Sequence, residues 1–156
     1  MIVVSDTSPI CYLLLINQID ILQALYRVIV IPKIVADELG ASESPPGVKS
    51  WIAQPLTWLQ IQSTELPKSI ELGNLDPGER DAILLAEQLK ANLVILDDKS
   101  ARRIAVERGL KIIGLLGIVK DADRAGLLDL EMTFEQLQDV GFWVSPGLLE
   151  RLLMDD

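Results

Sequence analysis

The chain has 156 residues, 49% of them hydrophobic, with a net charge of −9, no histidine and one cysteine. That length and apolar content suit one domain with a sizeable core, not a disordered chain. The missing histidine excludes Ser-His-Asp and Cys-His catalysis and any His-containing zinc site, and the single cysteine excludes an internal disulfide.

Taken from the start, "MIVVSD" has no basic region ahead of its apolar run. It reads as a cytosolic, cytoplasmic protein that starts directly in a strand, with no membrane partner. "IVVS" is a buried strand that runs into the loop "DTSP", where Ser8 suits an N-cap and Pro9 the first helical position. Two short helices follow, "PICYLLLI" and "IDILQALY". Cys11 in the first of these has no basic neighbour and reads as a buried, inert thiol. "VIVI" is a second strand. "PKIVADELG" starts with Pro and stops at Gly, as a helix does. "ASESPPG" is a loop, "VKSWIAQ" a helix, and "WLQIQ" alternates like a minor or edge strand. "STELPKSIELGN" is loop-like. "DPGE" then opens a helix as a capping box, with Asp76 as N-cap, Pro77 first and Glu79 third; this helix runs to about Lys90. "LVILD" is the clearest buried strand. "DKSARRIAVERG" is a helix closed by Gly109, "LKIIG" a strand, and "LLGIVKDADRAG" a helix closed by Gly126. The tail holds two amphipathic helices, "TFEQLQDVG" and "SPGLLERLLMDD".

Continuously apolar strands alternating with helices imply an α/β fold: three layers, α/β/α, around a central, mainly parallel sheet. The common phosphate-binding glycine motifs are absent. In such folds ligands sit outside the carboxyl ends of the strands, and acids gather there. Asp6 ends the first strand, and Asp97 and Asp98 end "LVIL". Glu38 lies on the helix entered from "VIVI", and Glu79 opens the helix that feeds the Asp97 strand.

Helical spacing sharpens this set. With Ile34 at zero, Val35 falls near 100°, Glu38 near 40° and Asp37 at roughly 300°. Glu38 therefore points inward and Asp37 outward. Glu79 falls on the shoulder of its helix's buried stripe, and Asp81 nearer the solvent side. Each acid also has a plain structural reading. Asp6 can cap a turn, Asp97 or Asp98 the next helix, and Glu79 its own; Glu38 can pair with Lys33 or Arg27. Together, inward carboxylates repel one another and are costly to desolvate, unless a cation holds them. Oxygen donors without His or Cys select Mg²⁺ or Mn²⁺, which can activate water against a phosphodiester. Ser8 is placed to hold a carboxylate or a water on such a metal.

Charge is uneven along the chain. Residues 99–124 carry +4 and the remainder −13. The basic run is either a set of solvated helix faces or a phosphate-attracting patch in which Lys99, Arg102 and Arg103 contact substrate. The overall acidity opposes a general nucleic-acid-coating role.

"VVSDTSPI", "IPKIVADEL", "LDPGERDAILLA" and "LVILDDKSARRIA" together resemble a PIN domain in the order and spacing of the acids. The likeness is greatest to small stand-alone prokaryotic PIN proteins, related to VapC-type toxins. It implies a PIN-like catalytic domain over residues 1–126 and a C-terminal helical extension of the same domain over 127–156. It further implies a Mg²⁺- or Mn²⁺-dependent endoribonuclease with ligands Asp6, Glu38, Glu79 and Asp97. Ser8 would support Asp6. Asp98 would be a further ligand or an anchor for Arg102 or Arg103. Family members more often carry Asp at the third position, which leaves Asp81 as the second choice to Glu79. The family implies an RNA substrate, a homodimer and, for the toxins, an antitoxin partner. Two other readings compete. One is a catalytically silent PIN-like module that binds RNA or protein. The other is an aspartyl-phosphate phosphotransferase with Asp6 as nucleophile, although "DTSP" lacks the second Asp that such enzymes use.

Overall fold

Strands that are apolar at every position need cover on both faces, and the chain supplies it with helices. The computed structural model describes residues 1–54, 56–65 and 75–142. In chain order these form β1 (Val3–Ser5), α1 (Thr7–Leu15), α2 (Asp20–Tyr26), β2 (Ile29–Pro32), α3 (Lys33–Leu39), α4 (Pro46–Ile52), β3 (Leu59–Gln62), α5 (Pro77–Leu89), β4 (Leu93–Ile95), α6 (Lys99–Glu107), β5 (Ile112–Ile113), α7 (Leu115–Arg124) and α8 (Leu130–Asp139). The strands make one sheet in the order β3-β2-β1-β4-β5. Every pairing is parallel. The fold is thus α/β with an all-parallel, five-stranded sheet flanked by helices.

The pleat sorts the strand residues into two cores. Val3, Ile29, Ile31 and Ile95 face one cluster, which α1, α2, α3, α7 and α8 complete. Val4, Val30, Val94 and Leu96 face the other, closed by α5 and α6. Residues Ala82 to Ala86 of α5 are all buried. α8 belongs to the first core through Phe134 and Leu137.

Two helix starts differ from the sequence reading. Asp6, not Ser8, is the N-cap of α1, and Pro9 sits inside the first turn. Asp6 is extended (φ −82°, ψ 176°), and Pro is tolerated there because first-turn amides lack partners. Pro32 is likewise extended and ends β2, so α3 begins at Lys33. The alternating "WLQIQ" is β3, an edge strand. Gly109 and Gly126 both adopt positive φ, 83° and 76°, and close α6 and α7 as their positions suggested. The expected loop over 66–74 and the expected helix "SPGLLERLLMDD" lie outside the described residues.

Leu85 of α5 is fully buried in the second core. Leu85→Ala is expected to lower the unfolding free energy by about 2–5 kcal/mol in a urea titration. A loss below about 1 kcal/mol would contradict this packing.

Candidate active site

The strand order places the switch in chain direction at β1: β2 lies on one side of it and β4 on the other. Crevices for ligands form at this point, outside the carboxyl ends of the strands. The Asp6 amide donates to the Ile95 carbonyl at 3.1 Å, which ties the end of β1 to the end of β4. Asp6 follows β1 directly and Asp97 stands two residues after β4, so the parallel register brings both to one edge.

α5 approaches from the same side. Its capping box is complete: the Glu79 amide donates to Asp76 Oδ1 at 2.8 Å, and the Asp76 amide donates to Glu79 Oε1 at 3.1 Å. Gly78 lets this helix end come close. A Cβ there would stand 2.6 Å from Glu38 Oε1 and 3.0 Å from Asp6 Oδ1. The helix start thus presses on two carboxylates, with its dipole favouring negative charge.

A cavity of about 510 Å³ is lined by Asp6, Ser8, Asp76, Glu79, Asp97 and Asp98, together with aromatic residues. A second, of about 390 Å³, shares Asp6, Ser8 and Asp76 and adds Glu38. Asp6 and Asp76 are the acids common to both, and Asp6 is the more buried. Burial pushes its carboxyl up to about 7, aided by the charges of Asp76, Glu38 and Asp97 and opposed by the Thr7 backbone. Glu79 is also pushed up to about 7, first by burial and then by Asp76, Asp98 and Asp6. Burial raises Glu38 too, against a hydrogen bond from Thr7 Oγ1 to its Oε2 at 3.1 Å. Asp97 is raised by burial, while the Leu115 amide and Arg102 pull it down.

Glu38 faces inward as its helical position indicated, but its partner is Thr7. Lys33 instead pairs with the exposed Asp37 at 3.3 Å. Asp81 is less exposed than expected, its side chain 13% accessible; it pairs with Arg80 at 3.1 Å, and its charge helps raise Glu38. Neither acid-lined cavity includes Asp81. Asp98 caps α6 by accepting from the Ala101 amide at 2.9 Å, and it remains exposed at the cavity edge. Of the two candidate arginines it is Arg102 that stands near an acid, and that acid is Asp97. Lys99, Arg102 and Arg103 are all exposed on α6. The wider basic run is not one surface: Lys120 is buried, and Arg108 pairs with Glu87 at 2.7 Å.

Sequence reasoning gave Asp76 only a capping role, yet it lines both cavities and raises three neighbouring acids. The "DPGE" string carried that signal, because a residue that starts an inward-pointing helix stands where that helix points. Thr7, read as part of a loop, and Gly78, read only within the capping box, were missed for the same reason.

Among the described residues, no three acids stand together as a ready-made metal chelate. The donors nevertheless suit a hard divalent cation. They are all carboxylates, and Asp97 Oδ2 is buried without a hydrogen-bond partner, while the Leu115 amide holds Oδ1 at 2.8 Å. A cation at this edge would offset the burial, and the repulsion added to it, that raise Asp6 and Glu79.

The fold and this acidic edge define a PIN-type α/β protein. The family described as DUF3368: PIN domain matches residues 2–155, and the chain belongs to the PIN-domain family. PIN domains are commonly nucleases and usually bind divalent metals. Among solved structures, the chain is similar to a PilT N-terminus domain protein, SSO1118, from the archaeon Sulfolobus solfataricus P2. The TM-score is 0.55 at 21% identity, over 86% of this chain and 95% of that one. That likeness supports the fold. No curated protein matches the chain. Among the described residues, no helix is long and apolar enough to cross a membrane.

The raised carboxyls have a consequence for stability. Between the ordinary Asp value of 3.8 and about 7, the unfolded chain has released a proton that folded Asp6 still holds. Folding stability of the metal-free protein should therefore fall as pH rises through that window. Asp6→Asn removes the term. In chelator-treated protein the variant is expected to be the more stable at pH 8, and the advantage to vanish near pH 4. Equal stability at both pH values, followed by urea titration, would contradict the burial of this charge.

Proposed function

We propose that this protein is a Mg²⁺- or Mn²⁺-dependent endoribonuclease that hydrolyses RNA phosphodiester bonds, and that it acts as the toxin of a toxin–antitoxin pair. The observation that carries the nuclease reading is the convergence of Glu38, Asp76, Glu79 and Asp97 on Asp6 at the switch point of a parallel sheet. These five acids, with Arg102 beside Asp97, are an unfavourable arrangement unless a cation completes it. The toxin assignment and a homodimeric state rest on the resemblance of "DTS" and "GERDAILLA" to the small stand-alone PIN proteins. A cytoplasmic location fits the same resemblance.

A divalent cation bound at this edge supplies positive charge against the scissile phosphate and makes water more acidic. The chain's own residues do the rest. Asp6 and Asp97 would hold the cation from just beyond the ends of adjacent strands. Leu115 fixes one oxygen of Asp97 and leaves the other for the cation. Thr7 orients Glu38. Glu79 accepts the Asp76 amide at one carboxylate oxygen and would offer the other to the cation. Ser8 lines both cavities and is placed to hold a water beside Asp6. Lys99, Arg102 and Arg103 attract the flanking phosphates, which offsets the acidity of the body. Asp98 contributes from the rim, and Asp81 serves chiefly its pair with Arg80.

One observation favours a second reading, a silent PIN-like module that binds RNA or protein: the lack of a preformed three-acid chelate among the described residues. Cleavage assays separate the two. Asp6→Asn and Asp97→Asn are each expected to reduce Mg²⁺-dependent cleavage of RNA by at least about 100-fold, with an unchanged circular dichroism spectrum. Full activity in both variants would overturn the nuclease reading.

A further inference from the structure

We propose that Arg102, lodged in a notch left open by Gly114, is a positioning residue for Asp97. It braces one oxygen of that carboxylate from behind, so that the other is offered to the cation. This rests on the metal-site reading of the acidic edge and assigns the residues that orient one of its ligands.

Asp97 stands just beyond β4, between the starts of two helices. On one flank is α6, capped by Asp98, which accepts from the Ala101 amide at 2.9 Å. Arg102 follows Ala101, and its own amide donates to the Asp98 carbonyl at 2.9 Å. Long side chains on a helix lean toward its N-terminus, so Arg102 reaches back toward Asp97. On the other flank is α7. Its N-cap is Gly114, buried and without a side chain to cap the first turn. Asp97 fills that role from another element: its Oδ1 accepts from the Leu115 amide at 2.8 Å.

The two flanks meet at Gly114. A Cβ there would stand 3.1 Å from Asp97 Oδ1, 3.2 Å from Arg102 Nη1 and 3.6 Å from Arg102 Cζ. The guanidinium therefore lies against the bare face of the glycine, beside the oxygen that Leu115 holds. Gly114 is extended (φ −95°, ψ 174°), a conformation open to any residue, so backbone freedom does not call for glycine here. Space does. The other oxygen, Asp97 Oδ2, is buried and has no hydrogen-bond partner. Asp97 lines the larger acid-lined cavity, whereas Arg102 lines neither. The guanidinium thus stands behind the acid, not on the wall that a phosphate would pass. Of the three basic residues at the start of α6, Arg102 alone is among the groups that shift Asp6, Glu38, Glu79 or Asp97. Its charge still helps to attract phosphates; its placement serves Asp97.

Calorimetric titration with Mn²⁺ in the absence of RNA tests this, because a residue that only contacts phosphate leaves that measurement unchanged. The sign of the effect is decisive too. A guanidinium acting through its charge alone would repel the metal, and its removal would tighten binding. Arg102→Gln should instead weaken Mn²⁺ binding about tenfold, as loss of a partner that orients a metal ligand does. Arg102→Lys keeps the charge but not the planar fork, and should not restore wild-type affinity. Gly114→Ala fills the notch and should also weaken binding about tenfold. In an Asp97→Asn background, Arg102→Gln should change the affinity by less than about twofold, because no carboxylate remains to be positioned. Thermal melts show whether Gly114→Ala remains folded; if it does not, the variants of the exposed Arg102 decide alone. Mn²⁺ affinity that Arg102→Gln leaves unchanged or tightens, or weakens equally with and without Asp97, would overturn the proposal and leave the metal-site reading standing. A wild-type protein that binds no Mn²⁺ would overturn both.

Discussion

The rest of this site depends on one carboxylate placed where water barely reaches it. Asp6 is 6% exposed, at the end of the central strand, and its amide is bonded to the end of the neighbouring strand. Its backbone position is set by the sheet and its side chain by the helix that starts behind it. No basic side chain is among the groups that shift it. The surrounding acids instead add negative charge, and the carboxyl rises to about 7. An ordinary core would not keep such a group, because an apolar residue of similar size would be more favourable. The cost is tolerable if the position has a cation to hold.

The same carboxylate explains local features that look merely structural. Gly78 is the second residue of α5, and any side chain there would strike Glu38 and Asp6. The capping box of Asp76 and Glu79 fixes the angle at which α5 arrives. Gly114 does the same on the other flank: a Cβ there would stand 3.1 Å from Asp97 Oδ1 and 3.2 Å from Arg102 Nη1. Two helix starts thus close on the acids from either side. Each brings backbone amides, which restrain carboxylates without neutralising them.

Much of this was legible in the sequence. Continuously apolar strands in βα alternation pointed to the parallel sheet, and helical spacing turned Glu38 inward and Asp37 outward. Positive-φ glycines ended α6 and α7 where expected. The failures have physical causes. Ser8 looked like an N-cap because Ser-Pro is a strong local signal, but the strand's end extended the backbone through Asp6 and moved the cap two residues back. Asp81 was placed toward solvent by its helical angle alone, which does not register the pairing with Arg80. Asp76 was explained by local capping, and only tertiary packing shows it beside three other acids.

The central claim is that these acids hold a divalent cation, and calorimetric titration with Mn²⁺ tests it most directly. Carboxyls held near pH 7 must lose protons to bind, so heats measured in buffers of different ionisation enthalpy report proton release. The account predicts binding that is tighter at pH 8 than at pH 6, with protons released at pH 6, and weakened at least about tenfold by Asp97→Asn. No Mn²⁺ binding, or binding that is independent of pH and of Asp97, would contradict it.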